Sequence, residues 1–269
     1  MGPSGGGSGG SSGAAANTSD VPEWVYEPGP GMQVELAGVN LSCAEFGESI
    51  PGTYGADYTY PTPAEVDHFV GKGMNVFRIP FRWERLQPTL NDPFESAELE
   101  SANAATAAIR DVGADNLVFV PGNHWSGAHS WNASYYGTSN ADVMTGVVDP
   151  ADNFVFEVHQ YLDADSSGAG TECVSETIGV ERLEEFTAWL RENGFLGFLG
   201  EFGGHATPTC FRALDDMLAH IGDNTDAWFG WGWWAAGPWW GNYPLSIEPT
   251  GDGEDRPQMI LLERHLTVP

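Results

Sequence analysis

Short, mostly apolar runs recur along the chain, nearly all separated from the next by a helix, and this alternation constrains the fold most. Leu36 to Leu41, Asn75 to Phe81, Asn116 to Val120, Phe154 to Leu162, Phe195 to Phe202 and Trp228 to Trp234 read as strands. None shows a clean apolar/polar alternation, as expected where helices cover a parallel sheet. The intervening helices are Pro63 to Lys72, opened by Thr62 and Pro63, then the Ala-rich Glu98 to Val112, Gly179 to Glu192 and Pro208 to His220. A short helix, Pro257 to Arg264, closes the chain. Gly73, Gly113 and Gly194 stop three of them. The expectation is an α/β fold with its chemistry at the C-terminal ends of the strands.

Residues 1 to 20 form a Gly/Ser-rich tail with no apolar stretch, unlike a signal peptide. Residues 21 to 269 are expected to form a single domain. No window is apolar for long enough to span a bilayer. The 38 acidic residues against 10 Lys plus Arg give a net charge of -28, which would repel a nucleic acid backbone. Their spread along the chain fits a high-salt habitat, where the repulsion is screened. The three cysteines, Cys43, Cys173 and Cys210, allow one disulfide and one free thiol without a metal-site pattern. An exported protein that has lost its targeting segment is the expected location.

Glu201, in GFLGEFGG, follows an apolar strand and precedes two glycines that let a ligand approach the backbone. A structural, hydrogen-bonded carboxylate is the competing reading. His159 and Tyr161 lie two apart and share a strand face, and Arg78 is a guanidinium inside a strand that needs a partner. The segment from Trp228 to Trp240 holds more indoles than one packed face can take. Some, such as Trp233 and Trp234, are candidates for stacking on sugar rings, with Trp125 and Trp131 extending the platform. A protein-binding aromatic patch is the alternative. His124, His129 and Asp142 lack metal-site spacing, and the acidic loop from Asp163 lacks a calcium pattern, so no metal or cofactor is expected.

Taken together, GVNLSCAEFG at 38 to 47, NVFRIPFRWERLQP at 75 to 88, NLVFVPGNHWSGAHSW at 116 to 131, HQYLD at 159 to 163, GFLGEFGG at 197 to 204 and GWGWWAAGPWWG at 230 to 241 resemble the cellulases of glycoside hydrolase family five, in its endoglucanase branch. The resemblance implies a TIM-barrel-derived (β/α) scaffold and cleavage of β-1,4-glucan with retention. It implies that Glu201 is the nucleophile, Arg78 its electrostatic support, and His159 and Tyr161 positioning residues. It further implies that Trp233 or Trp234 stacks on a sugar and that Cys173 pairs with Cys210; His124, Trp125, His129 and Trp131 are further candidates for the substrate surface.

The chain departs from that family at its centre, where no Asn-Glu-Pro segment supplies the acid/base carboxyl. Two strand-helix units are missing between LQP and the Ala-rich helix, leaving a scaffold shortened to six. Glu84, Glu45, His124 and His129 are the candidate substitutes, Glu84 foremost. The expected partner is β-glucan or a cello-oligosaccharide, with a homo-oligomer covering exposed sheet edges. A non-catalytic glucan-binding protein, or an interaction protein using the aromatic surface, are the alternatives.

Overall fold

The computed structural model describes residues 21–43, 45–49, 52–78, 110, 117–134 and 138–267. Within them, β1 (Leu36–Leu41), β2 (Val76–Arg78), β3 (Val118–Pro121), β4 (Phe154–Tyr161), β5 (Gly197–Gly203) and β6 (Trp228–Ala236) form one parallel sheet. Its order is β2-β1-β6-β5-β4-β3. The sheet curls into a half-barrel, a shortened relative of the TIM barrel. The six expected strands are therefore all present, within a few residues of their expected ends. The Ala-rich helix lies outside the described residues except for Arg110, as do the tail and the last residues of the Asn75 to Phe81 strand.

Strand burial follows position in the sheet. β1, β4, β5 and β6 lie inside it and are almost wholly buried, whereas β2 and β3, at the two edges, carry half-exposed and exposed residues. The expectation that Asn75 to Phe81 is a buried strand is corrected here. Val76 and Phe77 are half-buried and Arg78 is exposed, because among the described residues β2 has one strand neighbour instead of two. Both edges face a cavity of about 330 Å³ inside the curl, lined by Val76, Phe77, Phe119 and Phe198.

The helices cover the outer face. The α1 helix (Pro63–Gly71) begins with a reciprocal capping box between Thr62 and Glu65. A short α2 (Asn140–Val143) precedes β4. The α3 helix (Ile178–Asn193) buries Leu183, Phe186, Thr187 and Leu190, a stripe at helical spacing, and Gly194 ends it in the left-handed region at φ 70°. The α4 helix (Pro208–Asp223) buries Phe211, Leu214, Leu218 and Ile221 in the same way. Each such side chain removed from water contributes roughly 1.5 to 3 kcal/mol. The α5 helix (Pro257–Glu263) packs Met259, Leu261 and Leu262 into the same core. Among the described residues, no helix is long and apolar enough to cross a membrane.

Two covalent or ionic ties hold loops to this frame. A disulfide joins Cys173, after β4, to Cys210 in the first turn of α4. Cross-linking a segment of this length stabilises a fold by about 2 to 4 kcal/mol. Before β3, Arg110 donates to both carboxylate oxygens of the buried Asp149 (2.9 and 2.7 Å).

The loop after β6 carries a carboxyl pair with a measurable pH signature. Gly237 N–H donates to Glu248 Oε2 (2.9 Å), and the charge of Glu65, at the start of α1, acts on the same carboxyl. Burial, then the charge of Glu65, push the Glu248 carboxyl up to about 7 from an ordinary 4.5. The folded chain therefore keeps a proton there that the unfolded chain releases, and the stability this contributes is lost as pH rises from 4.5 through 7. Melting temperature is expected to fall across this window more steeply for the native chain than for Glu248→Gln. Parallel curves for the two proteins would contradict the assignment.

Candidate active site

Alternation along β4 aims Glu157, His159 and Tyr161 into the curl, while Phe156 and Val158 enter the core beneath the helices. β5 does not alternate so simply. Val158 pairs with Leu199, yet His159 pairs with Glu201, so Gly200 is an extra residue in the ladder. The same irregularity appears against β6, where Leu199 pairs with Trp231 and Phe202 with Trp233. A bulge of this kind turns two successive residues toward one face. Gly200 lines the inner cavity, Glu201 faces the cleft above it, and Leu199 and Phe202 both remain in the core.

The two oxygens of Glu201 are held separately. Oε1 accepts from the Tyr161 hydroxyl at 2.8 Å, and Oε2 accepts from Arg78 Nη1 at 3.4 Å. His159 Nδ1 stands 3.6 Å from the same Oε2. Arg78 is itself anchored, donating to Asn40 Oδ1 at 2.8 Å. Asn40 is completely buried, and its Nδ2 donates to the carbonyls of Gly200 and Trp233, both at 3.0 Å. The Asn40 amide thus ties β1, β2, β5 and β6 together at the level of Glu201. Burial, reinforced by the Glu201 charge and hydrogen bond, raises the Tyr161 pKa far above its ordinary value, so this hydroxyl remains a donor.

The cleft around Glu201 is about 470 Å³ and is bounded by His124, Trp125, His129, His159, Tyr161 and Asp165, with further contacts from the loop after β4. One wall has an unusual backbone. His124, Trp125 and Ser126 all have positive φ, at 56°, 53° and 54°. For residues with a Cβ this costs roughly 1 to 2 kcal/mol each. Tertiary bonds hold the turn: Ser126 Oγ accepts from Gly122 N–H (2.9 Å) and donates to the Glu157 carbonyl. Trp125 is left 80% exposed at the cleft. Near the end of β6, Trp234 is half-buried and packs edge-on against Trp240 of the segment that follows the strand.

Several expected site residues lie elsewhere. Trp131 and Trp233 are both 0% exposed, which corrects their assignment to the sugar surface. Trp131 is wedged among Phe156, Phe186 and Trp189. On β6, Trp231 and Trp233 share the core face, so Trp234 projects on the other; Trp233 Nε1 donates to the Leu245 carbonyl (2.8 Å). Glu45 folds back onto the end of β1, accepting from Ser42 Oγ and Cys43 N–H. Glu84 lies outside the described residues. His129 reaches the cleft but bonds to Gln160 Oε1 (3.1 Å), and burial lowers its pKa, favouring the neutral ring. Asp142 is engaged with Ser139 (2.7 Å). Among the described residues, no group of three or more His, Cys, Asp or Glu is placed to hold a metal ion.

Sequence reasoning passed over Asn40, Glu157 and Asp165. Glu157 was legible in principle, since it stands two residues before His159 on the same strand face. Asp165 belongs to the acidic loop that lacks a calcium pattern, and hydrogen bonds from Ser167 lower its pKa.

A carboxylate held at the C-terminal ends of curled parallel strands defines a β/α-barrel enzyme site. The chain belongs to the cellulase family, glycosyl hydrolase family 5, whose sequence model matches residues 88–237. It is 34% identical to endo-beta-1,4-glucanase B of Aspergillus niger over 305 aligned positions, covering 86% of this chain and 90% of the relative. An endo-beta-1,4-glucanase structure from Xanthomonas axonopodis pv. citri is 36% identical with a TM-score of 0.81, covering 86% of this chain and 99% of that one. The endoglucanase Cel5A of Pseudomonas stutzeri, in complex with cellobiose, is 28% identical with a TM-score of 0.77, over 92% and 95% of the two chains.

The two loop tryptophans are separable by experiment. Trp131→Ala empties a filled core site and is expected to cost about 3 to 5 kcal/mol in denaturant unfolding. Trp125→Ala, at an exposed position, is expected to change stability by less than about 0.5 kcal/mol. Similar losses for both would contradict their different placement.

Proposed function

We propose that the chain is a retaining endo-β-1,4-glucanase in which Glu201 is the nucleophile. The observation that carries this reading is the separate restraint of its two oxygens, by Tyr161 on one side and Arg78 on the other. That arrangement leaves a fixed carboxylate facing an open cleft. The family membership and the glucanase activity named for the relatives support the reaction class. A structural neighbour solved with cellopentaose, at a TM-score of 0.82 and 37% identity, and the cellobiose complex support a β-1,4-glucan as the substrate. Trp125 and Trp234 then supply apolar faces for sugar rings, and His159 and Tyr161 position both substrate and carboxylate.

In this mechanism Glu201 attacks the anomeric carbon as the glycosidic oxygen departs, forming a glycosyl ester that water then cleaves. Protonating the departing oxygen needs a second group, commonly a carboxyl about 5 to 5.5 Å away. The alignment of 305 positions to the Aspergillus enzyme exceeds the 269 residues of this chain, which supports a missing internal segment. Of the described residues lining the cleft, Asp165 is the second carboxylate, and its lowered pKa makes it a poor acid. His124 remains a candidate by position, and Glu84 by sequence. A glucan-binding protein with weak or no turnover is the second reading, favoured by this scarcity of acids around the cleft.

The disulfide supports an oxidising, extracellular location, and the charge of -28 supports a saline one. A second copy covering the edges at β2 and β3 is the oligomer proposed.

Labelling tests the nucleophile without requiring an acid. A dinitrophenyl 2-deoxy-2-fluoro-β-cellobioside releases its leaving group unprotonated, so the native chain is expected to gain one fluorocellobiosyl group on the peptide bearing Glu201. Glu201→Gln is expected to gain none. Binding of cellobiose without labelling would overturn the catalytic reading and favour the glucan-binding one.

A further inference from the structure

Glu157 has a place in the site that the reaction scheme does not use. Its side chain is 8% exposed, and its Oε1 lies 2.9 Å from His159 Nε2. The other ring nitrogen of His159 faces Glu201 Oε2 at 3.6 Å, so one imidazole stands between two carboxylates. Room for this depends on the bulge residue. A Cβ at Gly200 would come within 1.8 Å of Glu157 Oε1, closer than any contact a protein tolerates. The glycine that turns Glu201 into the cleft therefore also makes space for the second carboxylate.

The chemistry of the ring gives the arrangement a consequence. A neutral imidazole that donates from Nε2 to Glu157 presents a lone pair from Nδ1 to Glu201, whereas an imidazolium donates from both nitrogens. We infer that Glu157 is a positioning residue for the glycosylation step: by holding the second proton on His159, it keeps Nδ1–H directed at Glu201 Oε2. This rests on the reading of Glu201 as nucleophile.

The surrounding charges agree. Burial opposes a charge on His159, but the Glu157 hydrogen bond and the charges of Glu157 and Glu201 outweigh it, and its pKa is raised. Arg78, from β2, acts in the opposite sense. The loop beside β4 brings the Gly127 backbone against His159, with His124 and His129 around the same cleft, and Tyr161 and Asp165 are the other titratable side chains among the described residues lining it. With a raised pKa, the imidazolium persists to higher pH than an ordinary histidine and is lost as pH rises through that value.

The test uses the intact chain and two readouts. The His159 ring titration is followed by NMR without substrate, and the first-order rate of dinitrophenolate release from the fluorocellobioside is followed against pH. Glu157→Gln, which keeps shape and an acceptor but removes charge, is expected to lower the His159 midpoint by about 1 to 3 units. The alkaline limb of the labelling rate should move down by the same amount, with substrate binding unchanged. Glu157→Asp retains the charge and is expected to return both toward native values, which separates this role from a packing one. An unmoved His159 midpoint in Glu157→Gln would overturn the inference, as would a moved midpoint with an unmoved alkaline limb. A native chain that is never labelled would overturn the nucleophile reading and this inference with it. The substrate-free titration still shows in that case whether Glu157 governs the ring.

Discussion

One extra residue in β5 governs what this half-barrel presents. Without the bulge at Gly200, strict alternation would place Glu201 on the same face as Leu199, among the core side chains beneath the helices. The bulge instead turns Glu201 inward one position after Gly200, and it returns Phe202 to the core. A second consequence follows from the absent side chain, since the space beside Gly200 is filled by the Glu157 carboxylate. The Gly200 carbonyl is in turn held by Asn40 (3.0 Å), whose amide oxygen anchors Arg78. Position, support and electrostatics of Glu201 thus meet at a single irregularity in the ladder.

Around that point the structure accepts local cost for orientation. The turn through His124, Trp125 and Ser126 occupies a backbone region disfavoured for all three, and bonds from Gly122 and to the Glu157 carbonyl hold it there. The disulfide secures the loop after β4, which contributes Asp165, Ser166 and Ser167 to the cleft. Stability comes from elsewhere, chiefly the aromatic packing of Trp131, Phe156, Phe186, Trp189 and Trp228 between sheet and helices.

Most of the strands were legible in the sequence because each is an apolar run bounded by a glycine or a capped helix. Glu201, His159, Tyr161 and Arg78 were legible as well, and they converge. The tryptophans were not. Strand period two places Trp231 and Trp233 on one face and Trp234 on the other, but which face is core depends on the helices outside β6. Trp131 was misplaced for a related reason: its surroundings are an aromatic stripe on α3, far along the chain. Glu157 was overshadowed by the two residues that follow it on the same face. The bulge itself depends on pairing with two neighbouring strands, and a single strand's pattern does not show it.

The central claim is that Glu201 attacks the sugar directly from its fixed position. Proton NMR of the first product released from an aryl β-cellobioside carrying a good leaving group measures this stereochemically. Attack by Glu201 followed by attack by water predicts β-cellobiose as the initial product, mutarotating later toward equilibrium. Initial release of the α-anomer would contradict the account.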